Sequence, residues 1–176
     1  GIGLEFVHQY AAAGWRVVAG VRSPKKATEL QRIASRYPDA VSLHPLDVTD
    51  TARISALARE LKGVSIDLLI NNAGVYGPSE TAFGNPDEAA WMEAFRVNSI
   101  APLKVLEAFV DHIPHGGIVA TLSSRMGSIA DNRSGGCYIY RASKSAVNAV
   151  MKSAAIDLAR RGISAVILHP GWVLTD

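Results

Sequence analysis

The chain has 176 residues, 48% hydrophobic and 19% charged, with 18 basic against 16 acidic side chains and a net charge of +2. That is the size and balance of one globular domain with a substantial core, and the near-neutral charge, without a basic run, excludes nucleic acid and acidic membrane surfaces as expected partners. No apolar run reaches the length of a bilayer span, and the single cysteine, Cys137, excludes an internal disulfide framework and suits a reducing cytoplasm.

In chain order, "GIGLEFVHQYAAAG" has helical periodicity, with Leu4, Val7, His8 and Ala11 on one face and Gly14 as its stop. "WRVVAGV" reads as a buried strand, and "SPKKATELQRIASRYP" as a helix capped by Ser23 with Pro24 in its first turn. "AVSLHPLDV" is a strand, followed by the helix "TDTARISALARELKG", capped by Thr49 or Asp50 and closed by Gly63. "IDLLINNAG" is a strand running into a turn, and "NPDEAAWMEAFRVNSIAPLKVLEAFVDHI" is one long helix with Pro102 inside it. "GGIVATLSS" is a strand, "CYIYRASKSAVNAVMKSAAIDL" a helix, and "ISAVILHPG" the last strand.

Strands alternating with helices predict parallel pairing through right-handed crossovers, hence a single α/β domain over residues 1–176 with a Rossmann-type doubly wound parallel sheet. A helix opens the chain where a strand should feed the glycine turn, and nothing follows the loop after the last strand. The expected sheet therefore lacks its first strand and its C-terminal part. In the strand order 3-2-1-4-5 the absent strand is central, so its neighbours would leave backbone groups unpaired at about 1–3 kcal/mol for each buried group. The segment alone is expected to fold poorly.

Several short stretches carry chemistry. Gly1, Ile2 and Gly3 open a helix, where glycines let a phosphate approach the N–H groups at its positive end; a simple glycine turn explains them equally well. After the second predicted strand no acid occurs from Val17 to Ser23, whereas Arg22 does. An acid there would suit a ribose 2′-OH and an arginine a 2′-phosphate, so Arg22 favours NADP over NAD, which stays the alternative cofactor. Lys25 and Lys26 read as a solvated helix face. Asp47 and Val48 in "LDVTD" end a strand where a carboxylate could accept from an adenine amino group, with helix capping as the competing explanation. "NNAG", with Asn72, Ala73 and Gly74, forms a turn at the carboxyl edge, where ligands bind in open α/β sheets. Tyr140 and Lys144 lie one helical turn apart on one face. Tyr138 is about 200° round the helix from Tyr140 and cannot replace it. Asn98 precedes Pro102 by four residues, so its carbonyl loses an intrahelical partner and the helix should kink there. Cys137 has no histidine base in its motif, and the histidines show no metal-ligand spacing.

Together these stretches resemble the short-chain dehydrogenase/reductase family. "GIG" is similar to the tail of its Thr-Gly-x-x-x-Gly-x-Gly loop, "NNAG" to its central-strand motif, "RVNSIAPL" to its helix asparagine and "TLSS" to its serine strand. "YRASK" matches its Tyr-x-x-x-Lys and "HPGWVLTD" its Pro-Gly loop after the sixth strand. Within the family, "YRASKSAVNAVMKSAAIDL" and "GIGLEFVHQYAAAGWRVVAGVR" are most similar to the C-factor and sniffer group of carbonyl reductases.

The resemblance implies an NADP(H)-dependent oxidoreductase acting on a small carbonyl or secondary alcohol. Tyr140 would be the general acid and base and Lys144 the holder of the nicotinamide ribose. Ser124, rather than its neighbour Ser123 on the opposite strand face, would orient the carbonyl. The Asn98 backbone would support a proton-relay water. The ammonium, with an oxidised nicotinamide, is expected to lower the phenol's pKa from near 10 toward working pH. Pro170, Gly171 and Val173 would meet the carboxamide and Thr175 the amide or phosphates, while Trp172 would line the pocket or simply pack. Family members pair through long middle helices, so a homodimer or homotetramer is implied; Ala142, Ala146, Ala149 and Ser153 permit close approach, though burial against the sheet explains them too. The reading from another class is a signalling or sensor protein that binds NAD(P) with little turnover.

Overall fold

The computed structural model describes residues 1–78, 83–84 and 86–173. They divide into two compact units, residues 1–60 with 172–173, and the described residues of 61–171.

The first unit contains α1 (Ile2–Ala12), β1 (Val17–Val21), α2 (Thr28–Arg36), β2 (Val41–Pro45) and α3 (Thr51–Glu60). Strands β1 and β2 pair in parallel, from Val17 opposite Val41 to Val21 opposite Pro45, and α2 makes the crossover. Leu30, Val41, Ile54 and Leu57 are buried, each such aliphatic contributing about 1.5–3 kcal/mol when fully withdrawn from water. Two expectations about helix starts need refining. Ser23 makes no capping bond, and Pro24–Lys26 forms a separate 3₁₀ turn before α2 begins at Thr28. Asp50, not Thr49, caps α3, its Oδ1 accepting from Arg53 N at 2.9 Å.

The second unit contains β3 (Leu68–Asn71), α4 (Glu88–Phe95), a π-helical turn (Arg96–Ile100), α5 (Ala101–Phe109), β4 (Ile118–Leu122), α6 (Tyr138–Leu158) and β5 (Ser164–Leu168). Its sheet is parallel in the order β3-β4-β5, with Leu68 opposite Ile118 and Ile118 opposite Ser164. Hydrogen bonding among the described residues thus gives two blocks, β1-β2 and β3-β4-β5. These are the groupings left when the expected order is read without its central strand.

The predicted long helix is present but interrupted. Asp87 caps it through Oδ1, which accepts from Ala89 N at 2.8 Å and Ala90 N at 3.2 Å. Pro102 has no N–H for the carbonyl of Asn98, and the helix widens: Ala101 N–H reaches back to the Arg96 carbonyl. Relief takes the form of a π turn, an arrangement common at functional sites.

The core of this unit is Leu106, Ile113, Val119, Val147, Met151, Ala154 and Ile163. Helix α6 feeds it with Val147, Met151 and Ala154, part of a buried stripe at helical spacing that starts at Ile139. In the same stripe lie Ser143 and Lys144, fully buried and 5% exposed. A lysine on the apolar face of a helix needs a reason.

Candidate active site

Part of the reason is local. Lys144 Nζ donates to the Leu122 carbonyl at the end of β4, at 2.9 Å, and lies 5.7 Å from the ring centroid of Tyr140. One hydrogen bond does not replace the hydration of an ammonium, and burial lowers the pKa of Lys144 from 10.5 to about 8. Tyr140 is half-buried, and its pKa is raised above 10.0, first by burial, with a hydrogen bond from Ser124 opposing. The expected lowering includes an oxidised nicotinamide beside the ammonium; in the chain alone the phenol shifts upward. Lys144 is directed to Leu122, and in the chain alone desolvation outweighs any attraction between the two groups.

The two serines after β4 diverge, as alternation requires. Ser123 is buried, its Oγ donating to Asn148 Oδ1 at 2.6 Å. Ser124 Oγ accepts from Met126 N at 3.1 Å, opening the 3₁₀ turn Arg125–Gly127, and also meets the Tyr140 phenol. That turn is pressed onto α6. A Cβ added at Gly127 would lie 2.8 Å from the Lys144 carbonyl carbon and 2.9 Å from its oxygen, so only glycine fits without displacement. Ser145 Oγ donates to the Gly127 carbonyl at 2.9 Å, locking the turn that carries Ser124 to the helix that carries Tyr140 and Lys144.

Asn98, 1% exposed on the π turn, uses its whole amide. Its Oδ1 accepts from Val75 N at 2.8 Å, while Nδ2 donates to Val75 O at 2.8 Å and to Ser143 Oγ at 2.9 Å. Ser143 Oγ in turn donates to the Tyr140 carbonyl at 2.9 Å. The segment after β3, the π turn and α6 are thereby joined. A Cβ at Gly74 would stand 3.3 Å from Asn98 Oδ1, a tight contact, and 3.6 Å from Lys144 Nζ, an ordinary one, so Gly74 lies directly beside both. Asn71, the first of the asparagine pair, is structural: it is buried, its Nδ2 donating to Thr121 Oγ1 at 3.2 Å and Pro102 O at 3.4 Å.

The second unit therefore brings Asn98, Ser124, Tyr140 and Lys144 together; in the same unit Asn72, Ala73 and Gly74 after β3 and Pro170 and Gly171 after β5 are exposed. In the first unit Gly1 is the N-cap of α1, with Ile2 and Gly3 in the first turn and no side chain capping it. Arg22 is exposed directly after β1. Asp47 follows β2, its Oδ1 accepting from Thr49 N at 2.9 Å and Thr49 Oγ1 at 2.8 Å, with Val48 beside it. Val173 is 47% exposed and Trp172 fully so; Thr175 lies outside the described residues. No group of three His, Cys, Asp or Glu among the described residues could hold a metal ion, and no described helix is long and apolar enough to cross a membrane.

The model of the short-chain dehydrogenase family matches residues 1–176. The chain belongs to that family. Its relatives include the C-signal protein of Myxococcus xanthus, 45% identical over 113 residues, 63% of this chain and 68% of that protein. The 1-hydroxy-2-glutathionyl-2-methyl-3-butene dehydrogenase of Rhodococcus sp. (strain AD45) is 39% identical over 133 residues, 74% of this chain and 58% of the relative's length. A short-chain dehydrogenase/reductase of Burkholderia multivorans, crystallised with bound NADP, superposes with a TM-score of 0.94 at 36% identity, covering all of this chain and 77% of that one.

Sequence reasoning overlooked Tyr76, Ser143, Gly127 and Asn148. Ser143 and Asn148 were visible only as polar positions in an apolar helical pattern. For Tyr76 and Gly127 the sequence held no signal, because their partners are distant in the chain.

Proposed function

We propose that the protein is an NADP(H)-dependent oxidoreductase that interconverts a carbonyl and a secondary alcohol. The observation that carries this reading is the buried Lys144 ammonium one turn from Tyr140, whose phenol meets Ser124.

The residues fit a dinucleotide. Gly74 brings backbone directly beside Asn98 and Lys144, where a Cβ would press on Asn98 Oδ1, and the first-turn N–H groups of α1 are suited to a phosphate. Gly1, Ile2 and Gly3 would hold phosphate, Arg22 the 2′-phosphate, and Asp47 and Val48 the adenine. Asn72, Ala73 and Gly74 would line the ribose side, Lys144 would hold the nicotinamide ribose, and Pro170, Gly171, Val173 and Thr175 would meet the carboxamide end. When bound, the nicotinamide supplies or accepts the hydride.

The chain's own residues handle the proton. A phenol held above its ordinary pKa stays protonated at neutral pH, the state required of an acid that gives its proton to a developing alkoxide. The Ser124 hydroxyl, fixed by the turn, orients the carbonyl oxygen toward the Tyr140 hydroxyl. Lys144, near its own midpoint at about pH 8, can return a proton to the phenolate, and the π turn at Asn98 keeps a backbone carbonyl outside the regular helix pattern for a relay water. In the oxidative direction the same proton moves the other way. The small-molecule substrate would be an alcohol or carbonyl, and assembly through the long helices as a homodimer or homotetramer belongs to the same proposal, as do the single-domain organisation and a cytoplasmic setting.

Tyr140→Phe in the full-length protein should lower carbonyl-dependent NADPH oxidation by about 10²–10⁴-fold while NADPH binding, followed by nicotinamide fluorescence, persists. Retained turnover would refute the assignment. A wild type that binds NADPH and reduces no carbonyl would point to a sensor.

A further inference from the structure

One aromatic side chain beside Tyr140 has no part in the proton chemistry. The ring of Tyr76 lies 4.5 Å from that of Tyr140, centroid to centroid, with 30° between the planes. Its root is immobilised, because both backbone polar groups of the preceding Val75 are held by the Asn98 amide at 2.8 Å. Its tip is held as well: the hydroxyl is 3.3 Å from Cys137 Sγ, and Cys137 sits at φ +48° just before α6. Yet Tyr76 is 46% exposed. A rigid ring, tethered at both ends and still open to solvent beside a proton donor, is a surface prepared for something flat.

The surroundings favour an apolar partner over an anionic one. Phe83, 91% exposed, pairs with Tyr138 at 6.4 Å, so the segment after β3 meets the first turn of α6 through a second ring pair. Of the two cations on α6 beside this ring pair, Lys144 is turned to the Leu122 carbonyl, and Arg141 donates to Met126 O at 3.4 Å and Ser134 Oγ at 2.9 Å while its unpartnered Nε is buried away from the surface. We propose that Tyr76 is a specificity-determining residue, the wall on which a planar aromatic carbonyl substrate lies while its oxygen reaches Tyr140. This rests on the oxidoreductase reading above. An aromatic guest would meet the Tyr76 ring edge-to-face, a geometry such rings prefer, which leaves its carbonyl beside the Tyr140 hydroxyl and not behind the Tyr76 ring, at little entropic cost because the wall is already ordered.

The test compares acetophenone with cyclohexyl methyl ketone, of similar bulk but saturated, in the full-length enzyme with NADPH. Tyr76→Leu keeps an apolar side chain and removes the ring; the ratio of kcat/KM for the aromatic over the saturated ketone should fall roughly fivefold, mostly through KM. Tyr76→Phe, which keeps the ring, should hold the wild-type ratio. A ratio unchanged in Tyr76→Leu overturns the proposal, as does an equal loss for both ketones. Equilibrium binding of benzamide, planar and not reduced, is measured on the same variants. If the wild type turns over neither ketone nor any other carbonyl, the oxidoreductase reading fails; weaker benzamide binding by Tyr76→Leu then still supports the wall, and unchanged binding overturns it.

Discussion

Replacing Lys144 by methionine tests the electrostatics of the site independently of turnover. The side chain is 5% exposed, and burial moves its pKa from 10.5 to about 8. At 1.36 kcal/mol per pH unit, that displacement corresponds to about 3 kcal/mol of unfavourable ammonium burial. The folded chain gives up this proton near pH 8, whereas the unfolded chain keeps it until about pH 10.5. Between those values the unfolded state binds more protons, so this group makes unfolding free energy rise with pH. Below pH 8 the cost is fully present; above 10.5 it has gone. Methionine removes the titration, so wild-type minus Lys144→Met stability should climb by up to about 3 kcal/mol across that interval. The Leu122 carbonyl loses its donor in the variant, a pH-independent offset of about 1–3 kcal/mol that cancels in the slope. Tyr140 also titrates in alkali, but its pKa is raised by burial against an opposing hydrogen bond from Ser124, with no contribution from Lys144, so it too drops out of the difference. Urea denaturation of both proteins at a series of pH values measures this directly. A flat or falling difference would mean that Lys144 is hydrated in the fold, and the buried-ammonium reasoning would be wrong. The variant should also lose turnover.

Gly127→Ala places a methyl 2.8 Å from the Lys144 carbonyl carbon and 2.9 Å from its oxygen; these are backbone atoms that cannot rotate away. A loss of roughly 1–3 kcal/mol should appear as a lower Tm, with kcat falling as the Ser124 turn is displaced, and an unchanged Tm would show that the turn yields freely. Arg22→Asp reverses the charge offered after β1, and the ratio of kcat/KM for NADPH over NADH should drop by about tenfold or more. An unaltered ratio would remove the 2′-phosphate from that position.

Periodicity and spacing alone were enough to locate the elements, because they are local properties. Helix α6 follows from its apolar spacing, β4 from a short run that is apolar except at Thr121, and the division of the strands from the alternating order. Tyr140 and Lys144 share a face by helical geometry, and Ser123 and Ser124 part company by strand geometry. Where local chemistry had two solutions the sequence was ambiguous: Ser23 could cap a helix but a 3₁₀ turn intervenes, and Thr49 or Asp50 could cap α3 but Asp50 does.

What the tertiary structure alone decided depends on groups brought together across long stretches of chain. The direction of the Tyr140 pKa is one such property. Desolvation depends on everything packed round the phenol, whereas a motif records only the neighbour one turn away. The π turn is another: Pro102 removes a donor, but only the bonds from Asn98 to Val75 and Ser143 show which distorted helix results. The Tyr76 wall and the Gly127 contact are likewise invisible to spacing, since stacking and steric fit act through space between residues that no local periodicity relates.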